Sequence, residues 1–249
     1  YERVHQMKDM NELKRRLDED RRFFSYFHPA LEDEPIIFVQ VALTNGLGKS
    51  IQEIMKPSTE GGKKYDTATF YSISNCQEGL SRVTLGNFLI KRVVYEIQEE
   101  LPNIKNFGTL SPIPGFRDWF TTLDEKIIQN ILGKIPYSNI SFLKSTDLKV
   151  GDGRIVSNKH AILKLVSHYL MNEKNRKGLP INDVCRFHLG NGAIIDDINI
   201  NANVSEVGFQ RSFGIMVNYL YELKDIEQNH ENYVNNKKIN VSDKLKKYL

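Results

Sequence analysis

Three features of the chain predict an α/β (α+β) fold, a central sheet flanked by helices. The run IIFVQVAL over Ile36–Leu43 is rich in β-branched residues and almost unbroken in apolarity, as suits a strand covered on both faces. A second run of this kind covers Thr69–Ser74. Between it and a further strand lies Leu85–Leu101, where Leu85, Phe88, Leu89, Val93, Ile97 and Leu101 recur at near-helical spacing. The order strand, polar loop, amphipathic helix, strand over Thr67–Phe116 presents backbone N–H groups at a helix start. Partial positive charge gathers there, and it suits a phosphate or pyrophosphate.

The elements follow in order. Residues 1–22 contain a helix, MNELKRRLDEDRR, whose dense charges of both signs predict a solvated face. Phe23–Phe27 and Ile36–Leu43 read as strands joined by HPALEDEP. The next segment, TNGLGKS, ends like a phosphate-binding loop, but Leu43 stands where that loop needs glycine, so a nucleoside triphosphate site is rejected. It leads into a helix over Ser50–Met55, and Ser58–Asp66 is a Gly/Lys-rich loop.

Past Phe116, Asp118–Leu132 predicts one helix with Phe120, Leu123, Ile127 and Ile131 on a face. Lys134–Gly153 is irregular, and Ile155–Lys174 is a stronger helix. Val184–Leu189 reads as a short strand ending at His188, before the bend Gly190-Asn191-Gly192, where backbone can approach a ligand closely. Ala193–Ile200 reads as a strand and Phe213–Leu223 as a helix carrying Tyr219 and Tyr221. Asp225–Lys238 is polar enough to read as a loop, and a short amphipathic helix closes the chain.

Composition narrows the functions. With 249 residues, 40% hydrophobic and 26% charged, the chain can bury a sizeable core, and no repeat or linker divides it, so residues 1–249 are read as a single domain. A net charge of +3 makes no case for nucleic acid or a membrane surface as partner. Two cysteines, Cys76 and Cys185, are too few for a disulfide framework, and neither Cys-x-x-Cys nor His-Glu-x-x-His occurs, so no metal site is expected. No apolar run is long enough to span a bilayer. A chain opening on Tyr1 reads as part of a longer protein, and its last three residues, Lys247, Tyr248 and Leu249, differ from a peroxisomal Ser-Lys-Leu signal. Cytoplasm, mitochondrion and peroxisome stay open as locations for a soluble protein.

Several stretches carry a more specific message: ERVH followed by LKRRL, then FHPALEDEPIIFVQVALT, FYSISNCQEGL, LGNFLIKRVV, LSPIPGF and FHLGNGA with VNYLY downstream. In order and spacing they resemble the C-terminal catalytic domain of malonyl-CoA decarboxylase across nearly the whole chain. The resemblance implies a mixed central sheet of the GNAT (acetyltransferase-like) type, coenzyme A bound by its pyrophosphate at a loop-to-helix junction, and an oligomeric full-length protein with a helical N-terminal domain not included here. It assigns Ser81, Arg82, Val83, Thr84, Leu85, Gly86 and Asn87 to coenzyme A. Ser111 falls on the catalytic serine, His188 on the catalytic histidine, and Ser72 and Tyr221 on two further active-site positions. Glu2 and His5 match the family's opening, with Gln6 in place of the usual proline.

The implied reaction converts malonyl-CoA to acetyl-CoA and carbon dioxide. Loss of the carboxylate leaves an enolate delocalised into the thioester, so the acyl-CoA substrate supplies its own electron sink and no metal or organic cofactor is expected. Ser111 and His188 would form a hydrogen-bonded proton relay, either member delivering the proton, and Ser72 and Tyr221 would donate hydrogen bonds to the substrate oxygens. The prolines flanking Ile113 restrict the backbone after Ser111, which also suits a plain rigid strand exit. Two readings compete: an acetyl-CoA-dependent acyltransferase on the same fold, and a non-catalytic acyl-CoA-binding regulator.

Overall fold

The structure, a computed structural model, describes residues 9–31, 33–56, 65–77 and 86–249. The chain divides into two compact units: Tyr1–Ser111 with Leu220–Glu222, and Pro112–Tyr219 with Leu223–Leu249.

The first unit opens on helix α1, Met10–Arg16, capped by Asp9, whose carboxylate accepts from the Glu12 N–H at 2.9 Å. Its face is not wholly solvated, contrary to the sequence expectation: Arg15 and Arg16 are buried. Arg15 donates to Asp20 at 2.5 and 2.9 Å and to the Lys56 carbonyl at 2.7 Å, while Arg16 reaches Glu12 and Gln40. Buried guanidinium groups need such partners, and those from Gln40 and Lys56 come from distant parts of the chain.

Strands β1 (Arg21–Phe27), β2 (Pro35–Thr44) and β3 (Thr67–Asn75) form an antiparallel ladder. Helix α2, Ile51–Met55, falls within the expected Ser50–Met55 and is capped by Ser50. From β3 the chain crosses through α3, Gly86–Glu100, to β4, Asn106–Thr109, which pairs parallel to β3 in the register Thr67↔Asn106 to Phe70↔Thr109. A parallel neighbour requires such a crossover, so the helix read from Leu85–Leu101 is what makes this sheet mixed. On its other side β4 pairs antiparallel with Leu220 through Gly108. Val39, Val41, Ala42, Ala68, Phe70, Val93, Ile97 and Phe107 are buried, as the two apolar runs and the helical stripe predict.

In the second unit, after the short β5 (Ser111–Pro112), the single helix expected over Asp118–Leu132 is two: α4, Phe116–Thr122, and α5, Glu125–Leu132. Asp124 breaks it by adopting extended backbone and accepting from the Ile127 N–H at 2.9 Å, so it caps a new helix. The irregular stretch that follows contains two 3-10 turns, Tyr137–Asn139 and Ser141–Lys144. Helices α6 (Gly153–Ser157) and α7 (Lys159–Met171) come next. Phe116 gathers Trp119, Tyr169 and Phe213 around it at ring-centroid distances of 5.8, 5.6 and 6.1 Å.

Three expectations are corrected in this unit. Val184–Leu189 is not a strand but part of helix α8, Asp183–Gly190, started by Asn182, whose side chain accepts from the Cys185 N–H at 2.8 Å. After β6 (Ile194–Asn199) and α9 (Glu206–Ser212), the segment expected as a helix over Phe213–Leu223 is strand β7, Met216–Leu220, which lies beside β6. Phe213 and Gly214 both take left-handed backbone, at φ 55° and 77°, which ends α9 and prevents a helix from continuing. The polar tail read as a loop is helix α10, Ile226–Asn236, which buries Ile226 and Tyr233, seven residues apart on one face. A last turn, α11 over Asp243–Lys246, closes the chain as expected.

Candidate active site

The first unit holds three of the four predicted catalytic positions. Ser72 lies two residues past Phe70 on β3, and Ser111 two residues past Thr109 on the neighbouring strand path; Phe70↔Thr109 is the last registered pair between them. Side chains two apart in extended chain share a face, so Ser111 continues the face of Thr109, whereas a register shift against Gln40 and Val41 puts a bulge between Phe70 and Ser72 and sets Ser72 opposite Gln40. Ser72, Ser74, Thr109 and Ser111 are all buried. Hydroxyls at positions where a sheet ordinarily buries apolar side chains need hydrogen-bond partners. Ser111 Oγ donates to Thr109 Oγ1 at 2.8 Å, and Ser72 and Ser74 are 3.5 Å apart. The Leu110 N–H bonds the Phe70 carbonyl at 2.9 Å, which fixes the backbone between the Thr109 and Ser111 hydroxyls.

Tyr221 follows Leu220 along the other side of β4, its N–H bonded to the Phe107 carbonyl at 2.8 Å. Burial raises its phenol well above the ordinary range, so it is a neutral group with an O–H to give.

The second unit holds His188. It sits in the last turn of α8, not at a strand end, and only 3% of it is exposed. Its ring stacks on Tyr219 with centroids 4.4 Å apart and planes at 25°, and Phe187 meets it edge-on at 5.0 Å. Burial lowers its pKa to about 3, so the resting imidazole is neutral and offers one donor and one acceptor nitrogen.

The turn after His188 is braced from several directions. Asn191 and Ala193 both donate backbone N–H groups to the His188 carbonyl at 3.1 Å. Gly192 has φ 81°, and a Cβ there would lie 2.1 Å from the Ile226 carbonyl oxygen. The close approach read from the Gly190-Asn191-Gly192 bend is therefore real, but what comes close is α10. Asn229 donates to the Gly192 carbonyl at 3.2 Å, and His230 Nδ1 lies 2.6 Å from the Gly190 carbonyl.

Of the coenzyme A segment, Ser81, Arg82, Val83, Thr84 and Leu85 lie outside the described residues, as do Glu2 and His5. Gly86 and Asn87 are the first residues of α3, the loop-to-helix junction that the sequence singled out. Two neighbours of the predicted site residues were given no site role in the sequence, Thr109 and Tyr219. The signal for Thr109 was its spacing of two from Ser111 along a strand; Tyr219 was masked by the helix expected over Phe213–Leu223. Cys185, buried on α8, has its thiol pushed up to about 12 by that burial, which leaves it an inert core residue.

Comparison with known proteins identifies the family. The model of the malonyl-CoA decarboxylase C-terminal domain matches residues 1–249. The mitochondrial malonyl-CoA decarboxylase of Anser anser anser is 37% identical over 270 residues, covering 100% of this chain and 53% of the relative. The chain thus spans about half the length of the curated relatives it matches. The crystal structure of malonyl-CoA decarboxylase from Rhodopseudomonas palustris superposes with a TM-score of 0.83 at 39% identity, over 99% of this chain and 61% of that one. A GNAT-like decarboxylase, GphF, solved with isobutyryl-CoA, shares the fold at a TM-score of 0.50 and 16% identity, over 84% of this chain and 82% of that one. The mixed sheet with its crossover helix is thus a GNAT-like one, and the chain belongs to the malonyl-CoA decarboxylase family, as its C-terminal domain.

Proposed function

We propose that this chain decarboxylates malonyl-CoA to acetyl-CoA and carbon dioxide, with Ser111 and His188 assisting protonation of the acetyl-CoA enolate. The observation that carries the reading is a family match over all 249 residues in a chain that keeps a buried serine and a buried neutral histidine at the matched positions. The bond between the α carbon and the carboxylate breaks, its electron pair passes into the thioester carbonyl, and the enolate takes up one proton at carbon. The thioester accepts the electrons, so the proposed chemistry draws on no metal or organic cofactor.

In this reading Ser111 gives its proton to the α carbon and His188 restores it while receiving the malonyl carboxylate. Serine alone is too weak an acid to deliver a proton rapidly; a neutral imidazole can pass one on, giving the proton of one ring nitrogen to Ser111 while its other nitrogen takes one from solvent. Ser72 and Tyr221 donate to the carboxylate or thioester oxygen; a donor aimed at developing charge is typically worth about a hundred-fold or more in rate. Gly86 and Asn87 at the start of α3, with the preceding Ser81–Leu85, hold the coenzyme A pyrophosphate, where unpaired N–H groups and the helix dipole favour an anion. The substrate is thus a small-molecule acyl-CoA, and the full-length protein is a homo-oligomer.

The test is to incubate purified full-length protein with malonyl-CoA and no acyl acceptor, and to follow acetyl-CoA and carbon dioxide. Stoichiometric formation of both is expected; binding without turnover would leave the regulator reading, and turnover only with an acceptor the acyltransferase. Ser111→Ala is expected to keep coenzyme A binding and lose about a hundred-fold or more in kcat. Full activity in that variant would remove Ser111 from proton delivery.

A further inference from the structure

The 2.8 Å contact between Ser111 Oγ and Thr109 Oγ1 assigns a role to a residue the proposed chemistry does not use. We infer that Thr109 is a positioning residue for Ser111: it holds the serine hydroxyl in the resting site and returns a hydrogen bond to the serine oxygen when that hydroxyl gives up its proton. The inference rests on the proposed role of Ser111 as proton donor.

Threonine is β-branched and stiff at χ1, and Thr109 is fixed further by burial at 1% exposure in a strand registered against Phe70. Its Oγ1 is therefore a fixed point. Serine is the opposite case, a small side chain with three open rotamers and nothing of its own to choose among them. Backbone constraint does not choose either. Pro112 confines the residue before it to extended conformations, and the Leu110 N–H bond to Phe70 pins the preceding peptide, but both act on the main chain. The 2.8 Å contact with Thr109 favours the rotamer that brings Ser111 Oγ to Thr109 Oγ1.

A hydroxyl carries one donor and two acceptor lone pairs, so a pair of hydroxyls can reverse which of them donates. In the resting arrangement Ser111 donates and Thr109 accepts. When the Ser111 O–H bond breaks and a C–H bond forms at the α carbon, the serine oxygen is left with negative charge in a buried site. Rotation of the Thr109 hydroxyl then turns an acceptor into a donor aimed at that oxygen. Hydrogen bonds to an ionised oxygen are roughly twice as strong as neutral ones, so the contact strengthens in the transition state beyond its ground-state value. In the proposed relay His188 passes a proton taken from solvent back to Ser111 at the end of the cycle, and the pair reverts. Valine matches threonine in shape but can neither accept nor donate.

The experiment compares Thr109→Val, Thr109→Ala and Thr109→Ser in full-length protein, with malonyl-CoA as substrate and a thermal melt on each. Thr109→Val and Thr109→Ala are expected to lower kcat roughly ten- to a hundred-fold, the worth of a hydrogen bond to a charged group, with KM within about threefold of the parent. Thr109→Ser is expected to restore kcat to within about threefold of the parent, because it returns the hydroxyl without the methyl. Alanine and serine differ only by that hydroxyl, so this pair decides even where the valine variant melts early. Equal kcat in the alanine and serine variants overturns the proposal. A Ser111→Ala variant at full activity removes the Ser111 reading itself, whereas an inactive Ser111→Ala beside a fully active Thr109→Val defeats only the role given to Thr109.

Discussion

At the scale of single residues, the candidate site places its groups in the interior, and burial decides their charge. His188 is the sharpest case. In the unfolded chain it titrates near 6.5, while in the fold burial holds it at about 3. A base whose folded pKa is depressed contributes its stability above the unfolded value and loses it as pH falls, because the unfolded chain binds the proton first. The window is therefore about pH 6.5 down to about 3. In denaturant titrations the parent protein is expected to lose stability across that window faster than a His188→Gln variant, and parallel curves would show that the histidine is not held neutral by the fold. Ser111 and Tyr221 carry no such switch, since a hydroxyl and a phenol raised by burial stay neutral throughout.

At the scale of elements, the sequence was most readable where burial is continuous and least where a short segment fits two periods. IIFVQVAL and the Leu85–Leu101 stripe led directly to β2 and α3, because eight or more residues of one pattern leave little choice. VCRFHL did not, since six residues with scattered apolar positions fit a strand or a helix. The deciding signals lay just outside it, in Asn182 as cap and Asp183 in the first turn. Asn182 does two jobs: its oxygen accepts from Cys185 at 2.8 Å and its amide donates to the Pro114 carbonyl at 2.9 Å. Asn182→Ala is expected to cost about 1–2 kcal/mol in equilibrium unfolding, against a few tenths for loss of an exposed surface amide. Helix α10 escaped notice for the opposite reason: its sequence is so polar that only Ile226 and Tyr233 mark an inner face. Among the site residues, the serines were found by family motif, while Thr109 needed the distance to its neighbour. Its spacing of two from Ser111 is a signal shared by every alternate residue of a strand, so it did not single Thr109 out.

On the scale of the molecule, each of the two units buries an apolar core of its own. In the second unit Phe116 is fully buried between Trp119, Tyr169 and Phe213, and Phe120 meets Phe213 edge-on at 6.0 Å. Phe116→Ala removes the centre of that cluster and is expected to cost about 3–5 kcal/mol, read as an earlier chemical-denaturation midpoint.

The bracing of the turn after His188 has a consequence for how the protein is made. The carbonyls of Gly190 and Gly192 are met by His230 and Asn229, and Gly192 fits beneath the Ile226 carbonyl. Asn229 is itself met by Asn240, whose amide donates to it at 2.7 Å. All of these partners are translated at least thirty residues after the histidine they brace. A nascent chain can lay down β1 to β4 and the helices up to α8 while this turn still lacks its support. A ribosome stalled, or a stop codon read, shortly before Ile226 would release a chain containing every proposed catalytic residue and yet lacking the brace that holds His188 in place.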